Sequence, residues 1–333
     1  MLRFARGLLF ALLLAALLPL TSHLATAHEG PHGEATPTPP TATLPVTITD
    51  ATGAEVTVTD ISRIIPLNGV TAEILWDLGL GPNVVGVDVT ATYPDAYREY
   101  PIIGFGRQLA AEGILALNPT VVIGDTTAGP PEVIEQIRAA GVPVVITREF
   151  TDLQAPFEKI EAIAAALGVT EAGDALKAHV QEEVDAAIEV AKTATSQPRV
   201  LFVYIRGTST QLIGGEGSGA DTLITAAGGI DAGTEAGVKG YVPVSAEALV
   251  TASPDVILVM QSGLDSIGGM EGFLQIPGVA ETPAGQNEQI LAFDDQYLLG
   301  LGPRLGAVVT DLTYALHPEL ERPATPAATP GIV

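Results

Sequence analysis

One pattern occurs twice in this chain, and it limits the folds that the sequence can adopt. The ranges Ala110–Ile123 and Ser245–Leu258 each combine a predicted helix, a glutamate near its start, a proline and then an apolar run. The two glutamates, Glu112 and Glu247, lie 135 residues apart. A proline ends a helix, and a short apolar run after it is typical of a buried strand. The repeated helix–strand unit therefore favours two related α/β halves.

The segments around each copy extend this pattern into two lobes. Short β-branched runs alternate with amphipathic segments over 45–150 and again over 198–318, which predicts two Rossmann-like α/β lobes with mostly parallel sheets. Apolar residues recur at helical spacing over 151–197, so this range is predicted to be a helical linker. Its second part, Glu171–Ala194, would form a helix of about 36 Å that joins the lobes. A surface helix of one lobe is the alternative, and a ligand cleft is expected between the lobes.

The termini have compositions that differ from the lobes. Residues 1–27 are predicted to be a signal peptide cleaved near Ala27, because two arginines precede the apolar run Gly7–Leu20 and small residues follow it. An uncleaved anchor is the alternative. The chain is expected to be exported to a periplasm or outside the cell, and it has no cysteine to carry a lipid. The Pro/Thr-rich leader over 28–44 and the tail over 319–333 are predicted to be disordered.

Composition excludes several classes of function. Lys and Arg total 15 against 39 Asp and Glu, for a formal net charge of −24, which argues against a nucleic-acid partner. The lack of cysteine excludes disulfides, thiolate metal sites and cysteine nucleophiles.

Motifs for catalysis are weak. No Gly-x-Ser-x-Gly elbow accompanies a histidine in a loop that would line a cleft. The glycine-rich segment Gly214–Asp221 formally fits a relaxed dinucleotide fingerprint, but Ser218 or Asp221 would also simply cap the following helix. The chain is therefore not expected to be an enzyme, although an exported enzyme remains an alternative.

Because positive residues are scarce, three arginines stand out. Arg107, Arg206 and Arg304 all occur at predicted loop ends, where α/β sheets place their ligand sites. Separate surface charges are the alternative for each of them.

Several segments together resemble the haem (hemin) substrate-binding proteins of bacterial ABC importers, within the superfamily of periplasmic receptors for cobalamin and siderophores. The segments that carry the resemblance are 104–113, 203–207, 217–221, 240–243 and 302–304. The resemblance implies two lobes joined by one long helix, with little hinge closure and the ligand held between the lobes. It also implies a monomer that delivers haem to a permease, onto which Glu112 and Glu247 dock.

The same resemblance suggests how haem iron would be held. Many relatives have a tyrosine or a histidine where this chain has Phe105, which cannot ligate iron. Others use a tyrosine of the second lobe, two residues before an arginine, as in Tyr204 and Arg206. Tyrosinate is a known axial ligand of haem iron, and a nearby guanidinium favours the ionised oxygen. Tyr204 is therefore the expected axial ligand and Arg206 its support, while Phe105 packs against the opposite haem face.

Other residues remain candidates for this site. The alternative oxygen donors are Tyr241, Tyr297 and Tyr93. The candidates to pair with the haem propionates are Arg107, Arg206, Arg304 and Lys239. A receptor of the same fold for cobalamin or a ferric siderophore is the main alternative function.

Overall fold

The structure is a computed structural model that describes residues 39–149 and 151–323. The predicted signal peptide, most of the leader and the end of the tail lie outside the described residues. Among the described helices, none combines the length and the apolarity needed to cross a membrane.

The N-terminal lobe has a three-stranded parallel sheet with the order β3-β6-β7, preceded by the antiparallel hairpin β1–β2. Its elements are β1 (Val46–Thr49), β2 (Glu55–Val58), β3 (Ile64–Pro66), α1 (Gly69–Asp77), β4 (Gly104–Phe105), β5 (Gln108–Leu109), α2 (Ala111–Leu115), β6 (Val121–Asp125), α3 (Pro131–Ala139) and β7 (Val144–Thr147). Two 3₁₀ turns, Gly81–Asn83 and Asp95–Glu99, follow α1. The predicted strand at 84–87 is wrong: Val84 and Val87 form only isolated bridges, because the segment changes its pairing partner from Ile64 to Ile102.

Two helices lie between the sheet of the N-terminal lobe and that of the C-terminal lobe. They are α4 (Ala155–Ala166) and α5 (Thr170–Ala191), the second of which has 22 residues. At 1.5 Å per residue, α5 is about 33 Å long, close to the predicted length.

The C-terminal lobe has a mixed sheet with the order β11-β9-β8-β12-β13, in which β10 also pairs with β8. Its elements are β8 (Arg199–Arg206), β9 (Thr210–Gly214), α6 (Ala220–Ala226), β10 (Ile230–Asp231), α7 (Ala232–Glu235), β11 (Tyr241–Pro243), α8 (Ala246–Ala252), β12 (Val256–Met260), α9 (Gln261–Asp265), α10 (Gly269–Leu274), α11 (Pro283–Gln286), β13 (Ile290–Phe293), α12 (Asp295–Leu299) and α13 (Leu305–Leu316). Strands β8, β12 and β13 are parallel, so the segments that follow them meet at one edge of the sheet.

The two linker helices attach to different lobes. Helix α4 packs against β1, β7 and α1 of the N-terminal lobe, whereas α5 packs along α13 of the C-terminal lobe. The crossing of α5 and α13 is close, because a Cβ on Gly306 would lie 2.6 Å from the Cβ of Glu183. The long helix is therefore part of the second lobe's core and also the connection to the first.

The sequence repeat is also a structural repeat. Helix α2 ends three residues before Asn118, and α8 ends directly before Ser253. These two residues occupy equivalent positions of the repeat, and both have left-handed backbone, with φ of 47° and 42°. A proline follows each of these residues, and then the buried strand β6 or β12 begins. A left-handed residue commonly follows a helix, so both lobes repeat this feature between the helix and the strand.

The lobes meet at a buried polar junction. Arg304 donates to both carboxylate oxygens of Glu73, from Nε to Oε1 and from Nη2 to Oε2, each at 3.0 Å. Gln296 of α12 accepts from the backbone N–H of Thr92 and of Tyr93, at 2.9 and 3.1 Å. Its Nε2 donates to the Gly69 carbonyl and to Glu73. Residues on both sides of the junction thus have their hydrogen-bonding groups satisfied across it.

Both predicted terminal boundaries fall inside described structure. In the leader, the Thr43 N–H donates to the Gly168 carbonyl at 2.8 Å, and Leu44 packs against the core. In the tail, Ser196 Oγ donates to Glu319 Oε1 at 3.0 Å, and Arg322 pairs with Asp311. These contacts lie within the ranges 28–44 and 319–333 that the sequence assigns to the leader and the tail.

Candidate functional site

The end of β8 presents the two residues that the sequence singles out as the iron ligand and its support. Leu201, Val203 and Ile205 point into one buried cluster, so Tyr204 and Arg206 point to the other face of the strand. Tyr204 is half-buried and Arg206 is exposed. The guanidinium carbon of Arg206 lies 5.2 Å from the centre of the Tyr204 ring. The predicted pair is therefore a contact in the structure and not only a sequence motif.

Arg206 donates hydrogen bonds to residues that follow β12 and β13. Its Nη2 donates to Asp295 Oδ2 at 2.8 Å, and its Nη1 donates to Ser262 Oγ at 2.6 Å. Both partners lie at the sheet edge formed by the carboxyl ends of the parallel strands.

Tyr241 lies beside Tyr204. The two ring centres are 5.9 Å apart in an edge-to-face arrangement, and the Tyr241 hydroxyl donates to the Ser218 carbonyl at 2.9 Å. Burial is the main cause that raises the pKa of Tyr241 to about 12; the nearby Tyr204 and Asp221 contribute to the rise, and the charge of Arg107 opposes it. Tyr241 is therefore a weaker acid than an ordinary tyrosine, which makes it a poorer source of an anionic oxygen ligand.

The N-terminal lobe contributes an apolar surface on the hairpin β4–β5. Phe105 is 41 % exposed, and Val89, which no sequence motif marks, is 51 % exposed. The Val89 N–H donates to the Gly104 carbonyl at 3.0 Å, so these two exposed apolar side chains come from adjacent segments. Large exposed apolar side chains close together are typical of a ligand or partner surface.

Buried contacts fix the position of this hairpin. The Gly106 N–H donates to Asp88, whose side chain is almost fully buried. A Cβ on Gly106 would lie 2.1 Å from the Leu67 carbonyl oxygen, so only glycine fits there. Burial raises the pKa of Asp88, and its hydrogen bonds from Thr90 and Gly106 act in the opposite direction.

Arg107 lies in the turn between β4 and β5. Its side chain is more than half exposed, and its Nη2 lies 3.9 Å from Glu149 Oε1. Its charge lowers the pKa of Tyr241 in the C-terminal lobe, so its field reaches across the space between the lobes. Phe105, Arg107, Tyr204, Arg206 and Tyr241 are named here the interlobe site.

Arg304 is not part of this set. Its side chain is only 8 % exposed and is occupied by Glu73 at the lobe junction, with the Tyr93 ring centre 3.8 Å from its guanidinium carbon. Burial alone would lower the pKa of Arg304, but the charge and hydrogen bonds of Glu73 outweigh it and raise the pKa. Tyr297 lies at the same junction and donates its hydroxyl to Asp311 at 2.8 Å.

The remaining sequence candidates have local partners. Lys239 Nζ lies 3.0 Å from Glu216 Oε2. In the glycine-rich segment, the N–H groups of Gly217 and Gly219 donate to the two oxygens of Asp221, at 2.8 and 3.0 Å. The N–H groups that would bind a nucleotide phosphate are thus occupied by a side chain of the protein.

The described residues give no support to a bare metal site. Over 39–149 and 151–323, no cluster of three or more His, Asp or Glu side chains is arranged to hold an ion. The buried His317 is a structural residue, since its ring contacts Ser196 Oγ and the Ala227 carbonyl at 3.1 and 3.0 Å.

The two repeated glutamates have equivalent positions in their lobes. Glu112 and Glu247 each occupy the first turn of their helix, α2 or α8, and both are exposed. Neither is drawn into an ion pair with another residue of the described chain. Each lobe therefore presents one free carboxylate from the same element of the repeat.

Comparisons with known proteins agree with this geometry. The family model for periplasmic binding proteins matches residues 64–297. The periplasmic heme-binding protein RhuT from Roseiflexus sp. RS-1, in apo form, is 51% identical, with a TM-score of 0.75 over 77% of this chain and 98% of RhuT. The heme-binding protein HmuT is 38% identical, with a TM-score of 0.78 over 83% of this chain and 91% of HmuT. The cobalamin-binding protein of Halobacterium salinarum is 26% identical over 88% of this chain and 82% of its own length.

Further solved structures of HmuT carry alanine in place of a histidine, a tyrosine or an arginine. In HmuT the histidine precedes the tyrosine by 99 positions, and the arginine follows the tyrosine by two. The family match spans most of the chain, and the solved relatives cover both lobes. The chain therefore belongs to the periplasmic binding protein family, as its sequence motifs predict.

Proposed function

We propose that this protein binds haem between its two lobes and delivers it to the permease of an ABC importer, with Tyr204 as the axial ligand of the iron. The observation that carries the proposal is the pair of Tyr204 and Arg206 at the end of β8, which contact each other and are two residues of the interlobe site. The spacing of Phe105, Tyr204 and Arg206 in this chain equals that of the three residues substituted in HmuT. Heme-binding relatives at 51% and 38% identity support the choice of ligand class.

The two faces of the haem would meet different surfaces. Tyr204 offers an oxygen ligand from the C-terminal lobe, which suits ferric iron. Phe105 and Val89 offer an exposed apolar surface from the N-terminal lobe, which suits the porphyrin plane. Because Phe105 has no donor atom, one protein side chain ligates the iron in this proposal, and the haem is five-coordinate.

The propionates need cationic partners with free hydrogen-bonding capacity. Arg107 is more than half exposed and has only a long contact of 3.9 Å to Glu149, so it is the preferred partner. Arg206 and Lys239 are further candidates at the rim, although each already has an acidic partner. Arg304 is left out, because its guanidinium is buried against Glu73.

A hemin titration tests the proposal. The wild-type protein should give a saturable Soret band together with a charge-transfer band typical of ferric tyrosinate. The Tyr204→Phe variant should lose that charge-transfer band and bind hemin about 100-fold more weakly, if an iron–ligand bond contributes about 3 kcal/mol. The matched control is Tyr314→Phe, because Tyr314 of α13 also has an arginine over its ring, with the Arg322 guanidinium carbon at 5.4 Å. Equal spectra for Tyr204→Phe and wild type would refute the ligand assignment.

Cobalamin is the second candidate ligand. The cobalamin-binding relative covers most of this chain, and Phe105 removes one iron ligand from the N-terminal lobe. Calorimetric titration with cyanocobalamin separates the two ligands. Tight binding of cyanocobalamin with no Soret band from added hemin would replace haem by cobalamin in the proposal.

Docking onto the permease is assigned to Glu112 and Glu247. Two exposed carboxylates from equivalent helix starts suit a partner with two equivalent basic surfaces. Reconstituted transport should fall when both are changed to alanine, since charges at the rim of an interface act on association with the partner protein. Hemin affinity should stay within about twofold. The matched control is Glu132→Ala, which removes an exposed acid from the first turn of α3.

Export and oligomeric state complete the proposal. The family is periplasmic, which fits an exported chain with its signal peptide cleaved near Ala27. Mass spectrometry of the secreted protein tests the cleavage position. Light scattering tests whether the mature protein is a monomer with and without hemin.

A further inference from the structure

Arg206 is the most tightly held of the cations at the interlobe site. Its guanidinium spans two acceptors, Asp295 Oδ2 at 2.8 Å and Ser262 Oγ at 2.6 Å. The same Asp295 also accepts from the Ser262 N–H at 3.2 Å and from the Ser262 hydroxyl at 2.5 Å. Asp295 therefore binds the Arg206 guanidinium directly and also holds Ser262, the other acceptor of that guanidinium. The guanidinium carbon lies 5.2 Å from the centre of the Tyr204 ring.

The place of Asp295 is itself fixed by the lobe junction. Asp295 is the first residue of α12, which is capped by Asp294 through its contact to the Tyr297 N–H at 3.0 Å. The next residue, Gln296, is hydrogen-bonded to the N-terminal lobe. A side chain anchored on a helix that both lobes hold loses little further freedom when it binds its partner.

We infer that Asp295 is a positioning residue of the haem site, which holds Arg206 over Tyr204 and sets the electrostatic environment of the iron ligand. The inference rests on the proposed function. A guanidinium needs a planar pair of acceptors to stay in one place, and the carboxylate of Asp295 together with Ser262 supplies them. Without Asp295, Arg206 would be free to rotate into solvent, since its side chain is 43% exposed.

The test compares Asp295→Asn, Arg206→Ala and the double variant, each loaded with hemin. The readouts are the charge-transfer band and the rate at which haem passes to an excess of apomyoglobin. Because a hydrogen bond between charged groups is partly screened at this exposure, Asp295→Asn should release haem about tenfold faster. Its charge-transfer band should also move toward that of Arg206→Ala. In the Arg206→Ala background, Asp295→Asn should change neither readout, since its effect passes through Arg206.

Controls separate positioning from folding. Asp265→Asn removes an exposed acid from the same helix as Ser262, where the Asp265 side chain accepts a hydrogen bond from Gln261, and it should release haem at the wild-type rate. Ser262→Ala is the substitute test in case Asp295→Asn folds poorly. It removes the second acceptor of Arg206 and should shift both readouts in the same direction as Asp295→Asn, by a smaller amount.

Three outcomes overturn the inference. In one, the Asp295→Asn variant has the spectrum and the haem-release rate of the wild type, while the Arg206→Ala variant differs from the wild type in both readouts. Another is an equal effect of Asp295→Asn with and without Arg206. In the third, the wild-type protein gives no Soret band with hemin, which overturns the proposed function and this inference with it. The first two outcomes overturn only the inference about Asp295.

Discussion

The buried pair of Glu73 and Arg304 gives the sharpest prediction about how the lobes are held together. Their side chains are 3% and 8% exposed, and two hydrogen bonds of 3.0 Å join them across the junction. The Glu73→Gln variant keeps the shape of the side chain but leaves the guanidinium buried without a counter-charge. Breaking a buried pair in this way typically costs about 3–5 kcal/mol of the free energy of unfolding.

Two local features decide where in that range the value falls. The Arg304 guanidinium carbon lies 3.8 and 5.0 Å from the ring centres of Tyr93 and Tyr297, so the cation keeps some compensation. Such contacts contribute about 1–2 kcal/mol, which places the expected loss for Glu73→Gln near 3 kcal/mol. With a urea slope of about 3 kcal/mol per molar, the unfolding midpoint should fall by about 1 M.

Equilibrium unfolding in urea at pH 7 measures this loss. Far-UV circular dichroism follows the whole chain, and the fluorescence of Trp76, the single tryptophan, follows α1, the helix that carries Glu73. Adding Arg304→Met to Glu73→Gln should restore most of the midpoint, because no buried charge remains. A midpoint for Glu73→Gln within about 0.2 M of wild type would refute the assignment of this pair as the main polar link between the lobes.

Three further predictions follow from single positions. Burial raises the pKa of Asp77 to about 8, helped by Glu73 and opposed by Arg304, so the folded chain takes up a proton and its stability falls as the pH rises from about 4 to about 8. In urea titrations, Asp77→Asn should therefore raise the free energy of unfolding at pH 7 by about 1–2 kcal/mol and should leave it unchanged below pH 4. The gain at pH 7 is limited by the solvent in the adjoining 200 Å³ cavity. Phe105→His should convert five-coordinate ferric haem to a six-coordinate low-spin form, and an unchanged absorption spectrum would contradict the placement of Phe105 over the iron. Gly106→Ala should lower the thermal midpoint, because its Cβ would lie 2.1 Å from a backbone oxygen, by an amount equivalent to about 1–3 kcal/mol; a calorimetric midpoint equal to wild type would contradict the close approach.

Local sequence signals were enough to predict most elements of the fold. Apolar periodicity and proline positions predicted α3, β6 and β12 to within a residue or two, because those signals depend on neighbours along the chain. The segment at 84–87 has the composition of a strand, yet it changes partner between Ile64 and Ile102, which no local signal encodes.

The site was less predictable from the sequence, because several of its contacts join residues that are far apart along the chain. Tyr204 and Arg206 are two residues apart on one strand, so their contact follows from strand geometry. Arg304, by contrast, pairs with Glu73, which is more than 200 residues away along the chain, and that pairing removes it from the ligand set. Asp295 had no sequence signal, because its role depends on the order of β8, β12 and β13 in the sheet.

The shared left-handed residues after α2 and α8 have a consequence for assembly. Because the equivalent residues Asn118 and Ser253 both adopt left-handed backbone after their helices, the two units repeat in local conformation as well as in sequence. A single chain can in this way present two copies of one recognition element. A membrane partner built from two identical subunits would meet an equivalent acid on each side, so a homodimer could recognise a monomer without breaking its own twofold arrangement.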